Sequence, residues 1–195
     1  MQYVAIDIET TGLESEWDQV LHVALVHEDT ARAEAWEVNE LPYFEALIYH
    51  ERIEGDPYAL NMNHEILEAF ADFKPTEATA ELRGRVVPVF GDLESVLDEA
   101  KIWLANCHDH AGPYVAAGKN AAGFDLPFLG REWRRQFHHR VIDAGSVALG
   151  AQPFRWQHNK VAGLAELNEG NPCPHDALWD ARGVVEILRK VGGYL

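Results

Sequence analysis

Asp7 and Glu9 are the first residues whose types and spacing could do chemistry. They lie in Asp7-Ile8-Glu9-Thr10-Thr11-Gly12-Leu13, directly after the apolar run Tyr3-Val4-Ala5-Ile6, which reads as the end of a buried strand. Strand side chains alternate between faces, so Val4, Ile6 and Ile8 share one face and Asp7 and Glu9 the other. Two residues along a strand is roughly 6.6 Å, which sets the carboxylates side by side. Two negative charges on an apolar strand are costly unless a cation neutralises them, and a divalent metal with hard oxygen ligands is the simplest such cation. The plain alternative is a pair of solvated charges at a strand end. The turn at Gly12 and the apolar run before Asp7 favour a site at the strand's carboxyl end, where open α/β sheets hold their ligands.

Hydrolysis of a phosphodiester by a pair of metal ions, ~3.5–4 Å apart, requires further carboxylates converging from separate elements. Asp125 follows Gly118-Lys119-Asn120-Ala121-Ala122-Gly123-Phe124 and starts a helix; its ordinary role would be an N-cap, with Pro127 in the first turn. Asp180 lies on the closing helix among Ala177, Gly183 and Val184, which puts a carboxylate on the inward face, with a buried pair to Arg182 or Arg189 as the competing reading. His175, in Pro172-Cys173-Pro174-His175, precedes that helix by a short step. Most lone histidines are structural or surface residues, but from a loop an imidazole can take a proton from water, a contribution of typically ~100- to 10,000-fold.

The elements that must position these groups can be read from periodicity. Residues 2–9, Val20–His27 and Ala33–Val38 read as a meander of strands, and Tyr43–His50 as strand or loop. Pro57–Phe70 reads as a helix capped by Asp56. Residues 71–90 follow no pattern, broken by Pro75, Gly84 and Pro88. A helix from Asp92 carries the apolar stripe Leu93, Val96, Leu97, Ala100, Trp103 and Leu104. Tyr114–Ala117 and Val141–Asp143 read as short strands. Asp125–Phe137, Val161–Leu167 and Ala177–Val191 read as helices, the last ended by Gly192-Gly193. Strands first and then alternation with helices indicate an α/β fold with a mixed sheet and helices on its faces.

Composition narrows the function classes. A chain of 195 residues with 47% apolar and 25% charged residues suits one globular domain over 1–195. No apolar run reaches the ~20 residues of a membrane span, and no basic or apolar leader precedes the first strand, so a cytoplasmic location is expected. Cys107 and Cys173 give no disulfide framework. The net charge of −16 argues against broad electrostatic capture of nucleic acid. It leaves open a local site at a chain end, where a metal supplies the positive charge.

Asp7-x-Glu9, Asp125 and His175-x-x-x-x-Asp180, in that order, resemble the DEDDh (DnaQ-like) family of 3′-to-5′ exonucleases. That family includes the proofreading epsilon subunit of bacterial DNA polymerase, oligoribonuclease and ribonuclease T. The segments DIETTGL, GKNAAGFDLPFL and HDALWDA are similar to its three sequence blocks. The resemblance implies a ribonuclease H-like fold with a five-stranded mixed sheet flanked by helices, and release of nucleoside 5′-monophosphates from 3′ ends of single-stranded DNA or RNA. It implies two divalent ions, Mg2+ or Mn2+. Asp7, Glu9 and Asp180 would hold one ion, Asp7 and Asp125 the second, and His175 would be the general base. The backbone at Thr10 and Thr11 would meet the terminal sugar, Leu13 would wedge against the last bases, and Asn120 and Phe124 would line the strand's path. A polymerase or a second copy of the chain would be fitting partners. Lys119 stands where many members carry His, and residues 40–90 match poorly; Asn61-Met62-Asn63-His64 there could border a base pocket. The rival readings are a non-catalytic ribonuclease H-like binding module and a nuclease that cuts internally.

Two other patterns fail on spacing. Gly112 through Gly118-Lys119 has five residues between its glycines instead of four, and Asn120 stands where a P-loop needs Ser or Thr. Cys107-His108-Asp109-His110 with Cys173 lacks the paired spacing of a zinc site. His138-His139-Arg140 reads as a charge cluster closing a helix.

Overall fold

The computed structural model describes residues 1–32, 36–71, 73–107, 113–151 and 175–192. Its centre is the strand pair β1 (Gln2–Thr10) and β2 (Val20–Asp29), which run antiparallel. β3 (Tyr43–Ile48) extends the sheet antiparallel to β2. On the other side β6 (Ala116–Gly118) and β7 (Ile142–Asp143) run parallel to β1. A hairpin of β4 (Thr79–Leu82) and β5 (Arg85–Phe90) joins β3 in parallel fashion. The result is a seven-stranded mixed sheet in the order β4-β5-β3-β2-β1-β6-β7.

Helices α1 (Pro57–Met62), α2 (His64–Ala71), α3 (Leu93–Cys107), α4 (Asp125–Phe128), α5 (Gly130–Arg134), α6 (Ala144–Ala151) and α7 (Ala177–Gly192) flank it. One face buries Val4, Ile6, Ile8, Val23 and Leu25 against α3, α4 and α5, with Trp133 filling the gap. The opposite face buries Tyr3, Ala5, Ala24 and Val26 against α6 and α7. A third cluster, Leu21, Leu47, Ile66, Phe70, Leu82 and Val87, ties α2 and the hairpin to the sheet. Because strand side chains alternate, Asp7 and Glu9 continue the Tyr3–Ala5 face and emerge toward α7.

Several expectations are corrected. The sheet has seven strands rather than five, because residues 79–90, which showed no pattern, form a hairpin. Arg83 (φ 51°) and Gly84 (φ 75°) both take positive φ at its tip, the twist that two-residue hairpin turns need. The third strand is Tyr43–Ile48; Val38–Glu40 is a 3₁₀ turn, and residues 33–35 lie outside the described residues. The expected helix over 57–70 breaks at Asn63, whose side chain leaves the helix to donate to the Thr10 carbonyl at 3.0 Å. Asp56 caps α1 as expected, accepting from the amides of Tyr58 and Ala59. The helix expected over 125–137 breaks at Gly130, which adopts φ 82°. α6 was not anticipated, because its two glycines weaken a helical reading. Val161–Leu167, His108–His110 and Cys173 lie outside the described residues. No helix among the described residues is long and apolar enough to cross a membrane.

Candidate active site

At the carboxyl end of β1 the structure brings Asp7, Glu9 and Asp180 together, each offering a carboxylate oxygen within 4.8 Å of the others. β1 contributes two of the acids by alternation, and the first turn of α7 contributes the third. Asp125 stands beside this trio at the start of α4. Its Oδ1 accepts a hydrogen bond of 3.1 Å from the amide of Ile8, the residue between Asp7 and Glu9. The loop leading to α4 reaches that close because residue 118 is glycine: a Cβ there would stand 2.6 Å from Ala121 Cβ and 3.0 Å from the Ile6 carbonyl oxygen.

Crowding and burial leave the acids reluctant to ionise. Burial is the main cause for Asp7, reinforced by the charges of Asp125, Asp180 and Glu9, and its carboxyl stands well above the usual range. Glu9 is pushed up to about 8, first by burial and then by Asp180 and Asp176, with Arg83 acting in the opposite direction. Burial raises Asp125 to about 7 despite the Ile8 hydrogen bond. A cation placed among them would favour their ionised forms and so oppose all three shifts. Lys119 already acts as a partial stand-in, its Nζ lying 2.7 Å from Asp180 Oδ1. The donor set, hard oxygens from three or four carboxylates, fits Mg2+ or Mn2+.

His175 is exposed and holds a left-handed backbone (φ 60°), with its amide donating to Asp180 Oδ2 at 3.0 Å. The same short segment therefore carries the imidazole and clamps a carboxylate. Thr10 and Thr11 are buried, and their hydroxyls serve the turn: Thr10 Oγ1 donates to the Gly12 carbonyl at 2.6 Å and Thr11 Oγ1 accepts from the Gln19 amide at 2.9 Å. Leu13 projects outward, 80% exposed. Asn120 has positive φ (64°), and its amide donates to Asp143 Oδ2 at 2.8 Å. Phe124 is partly committed to the core, packed 5.0 Å from the Phe128 ring.

The arrangement of strands and helices is shared with solved nuclease structures. The chain superposes on cell-death related nuclease 4 (CRN-4) with a TM-score of 0.65 at 11% identity, covering 98% of this chain and 64% of that one. E. coli exonuclease I in complex with a dT13 oligonucleotide gives a TM-score of 0.62 at 15% identity, covering 98% of this chain and 42% of that one. The fold is ribonuclease H-like. The zinc-bound form of the E. coli exonuclease I complex with single-stranded DNA matches similarly, with a TM-score of 0.60 at 14% identity over 97% of this chain and 40% of that one. The chain thus spans less than two thirds of each of these proteins. No family model and no curated protein sequence matches it.

Within this ribonuclease H-like frame, the sequence did not reveal the neighbours of the acids. Asp180 pairs with neither arginine first weighed against it. Arg189 forms a buried pair with Glu28 at 2.5 Å, and Arg182 lies over the rings of Tyr43 and Trp179. Nor did it reveal that Asp143 holds the Asn120 loop, or that Arg83 comes close enough to act on Glu9. Asp143, at a strand's carboxyl end, carried a positional signal; Arg83, in a stretch without pattern, carried none.

Proposed function

We propose that this chain is a metal-dependent 3′-to-5′ exonuclease of the DEDDh kind, acting on single-stranded DNA or RNA and releasing nucleoside 5′-monophosphates. The observation that carries the reading is the convergence of Asp7, Glu9 and Asp180 within 4.8 Å, beside Asp125 and an exposed His175. Fold likeness to two nucleases, one of them, E. coli exonuclease I, solved with single-stranded DNA, supports it.

Asp7, Glu9 and Asp180 would hold one divalent ion, and Asp7 with Asp125 the other. Bound there, Mg2+ or Mn2+ would polarise the phosphoryl oxygens and acidify a bound water. The protein's own groups do the rest. His175 accepts the proton of the attacking water, and its exposed position lets the imidazole reach solvent and then release that proton. The Thr10-Thr11 turn, fixed by its own hydrogen bonds, offers backbone groups to the terminal sugar. Leu13 stands outward to lean on the last bases, and Asn120 and Phe124 flank the strand's approach. The acidic surface is in keeping with grip at the strand end alone, or with a polymerase or a second copy of the chain supplying the rest of the grip.

The test is degradation of 5′-labelled single-stranded DNA and RNA in Mg2+. A ladder of shortened products is expected, absent with Asp7→Ala. No degradation of either polymer, or a ladder that persists in Asp7→Ala, refutes the reading. Opening of a circular single strand would instead favour the internally cutting alternative.

A further inference from the structure

A second group of buried charges lies behind the acids, and the chemistry above does not use it. His22 on β2, Glu45 on β3 and Asp176, just before α7, bring a ring nitrogen and carboxylate oxygens within 4.8 Å of one another, and all three side chains are buried. The donor set alone would suggest a metal. Arg85 from β5 already fills the cationic place, its Nη2 donating to Glu45 Oε1 at 2.7 Å and to Asp176 Oδ2 at 2.6 Å. His22 Nε2 donates to Glu45 Oε1 at 3.1 Å. Arg83 adds a second cation, with Nη1 3.6 Å from Asp176 Oδ2 and Nε paired to Glu65. Burial alone would raise the Glu45 carboxyl, but the hydrogen bonds from His22 and Arg85 outweigh it and hold it low. Glu45 is therefore held as a carboxylate, and the planar guanidinium of Arg85 turns both Nε and Nη2 toward it while Nη2 also reaches Asp176.

Asp176 links this network to the candidate active site. Its Oδ1 accepts from the Trp179 amide at 3.1 Å, capping α7, and its carbonyl accepts from the Asp180 amide at 2.8 Å. The residue before it is His175. The residue four later is Asp180, whose Oδ2 in turn accepts from the His175 amide. Fixing the Asp176 carboxylate thus fixes both the base and a metal-binding carboxylate. Arg85 does this from a hairpin 91 residues away in sequence.

We infer that Arg85 is a positioning residue: by forking between Glu45 and Asp176 it anchors the start of α7, and so sets where His175 and Asp180 stand for reaction. The catalytic half of this inference rests on the proposed hydrolase reading; the anchoring half does not. Two measurements on Arg85→Gln test it. Amide hydrogen exchange at His175, Trp179 and Asp180 should quicken about tenfold or more while β1 amides stay protected. In the degradation assay kcat should fall about 10- to 100-fold with KM within about twofold, because small misplacements of reacting groups cost about that much. Asp176→Asn should lose a similar amount, and the double variant no more than the worse single one.

Arg85→Lys keeps the buried charge but not the fork, and should show the same pattern to a lesser degree. Should Arg85→Gln fail to fold, wild-type exchange and kcat in Arg85→Lys would overturn the inference. Unchanged exchange in Arg85→Gln, a loss confined to KM, or losses that multiply in the double variant would also overturn it. Wild-type protein inactive on every nucleic acid would refute the hydrolase reading and the catalytic half together. Faster exchange in Arg85→Gln would even then support the anchor.

Discussion

Glu9→Gln tests the electrostatics of the acid cluster without relying on catalysis. The Glu9 carboxyl is lifted from an ordinary 4.5 to about 8 by burial and by the charges of Asp180 and Asp176. A carboxyl with a higher pKa folded than unfolded binds its proton more tightly when folded. Its contribution to stability is fully present below pH ~4.5 and is lost as pH rises through about 8. At ~1.4 kcal/mol per pH unit, ionising it inside the metal-free fold costs about 5 kcal/mol. For a chain of this size a loss of 1 kcal/mol lowers Tm by about 2–4 °C, so the shift across that range is about 10–20 °C. The assay is thermal melting in a chelator between pH 5 and pH 8.5. Wild-type Tm should fall over this range by about 10 °C more than that of Glu9→Gln, whose amide has no proton to lose. Mn2+ or Mg2+ at pH 8 should recover much of the wild-type loss and less in the variant, since a cation relieves the same repulsion. Parallel melting profiles for the two proteins, or equal metal stabilisation at pH 5 and pH 8.5, would refute the account.

Other consequences can be checked separately. Lys119→Gln removes the ammonium that pairs with Asp180, and should lower the metal concentration for half-maximal activity severalfold, read by metal titration of the degradation rate. Arg189→Ala strands Glu28 without its buried partner; loss of about 3–5 kcal/mol is expected, a fall in Tm of about 10 °C, with metal-dependent stabilisation unchanged. Removing the proposed base in His175→Ala should lower kcat about 100-fold or more while metal-dependent thermal stabilisation stays as in the wild type; a variant with wild-type kcat would count against the assigned base.

The parts of the site legible in the sequence are those set by local periodicity. Alternation along β1 put Asp7 and Glu9 on one face, and the small neighbours of Asp180 marked the inward side of α7. Both inferences need only the repeat of a strand or a helix. Choices between elements were not legible. Asp180 met Lys119 rather than Arg182 or Arg189 because partner choice depends on how α7 crosses the sheet, which no local pattern encodes. The breaks at Asn63 and Gly130 were invisible because apolar spacing continues across them, although a hydrogen bond to Thr10 and a positive φ interrupt the helix. The β4–β5 hairpin was missed because its turn is Arg-Gly rather than Asn-Gly or Asp-Gly, and Pro88 sits within a strand. That hairpin supplies Arg83 and Arg85, so missing it also hid the network behind α7.

The position of α7 in the chain bears on when the site can come into being. Its residues cover Tyr3, Ala5, Ala24 and Val26 on the central strands, and it brings Asp180 to acids that lie near the start of the chain. Domains emerge from the ribosome amino-terminal end first, and contacts between distant residues form late. A nascent chain ending before residue 175 would present Asp7 and Glu9 beside an uncovered apolar sheet face, with neither Asp180 nor His175 available. Closing the core and completing the acid cluster are therefore one event. The acid cluster exists only in the finished fold, so under the proposed reading a partly made or partly unfolded copy would be without activity.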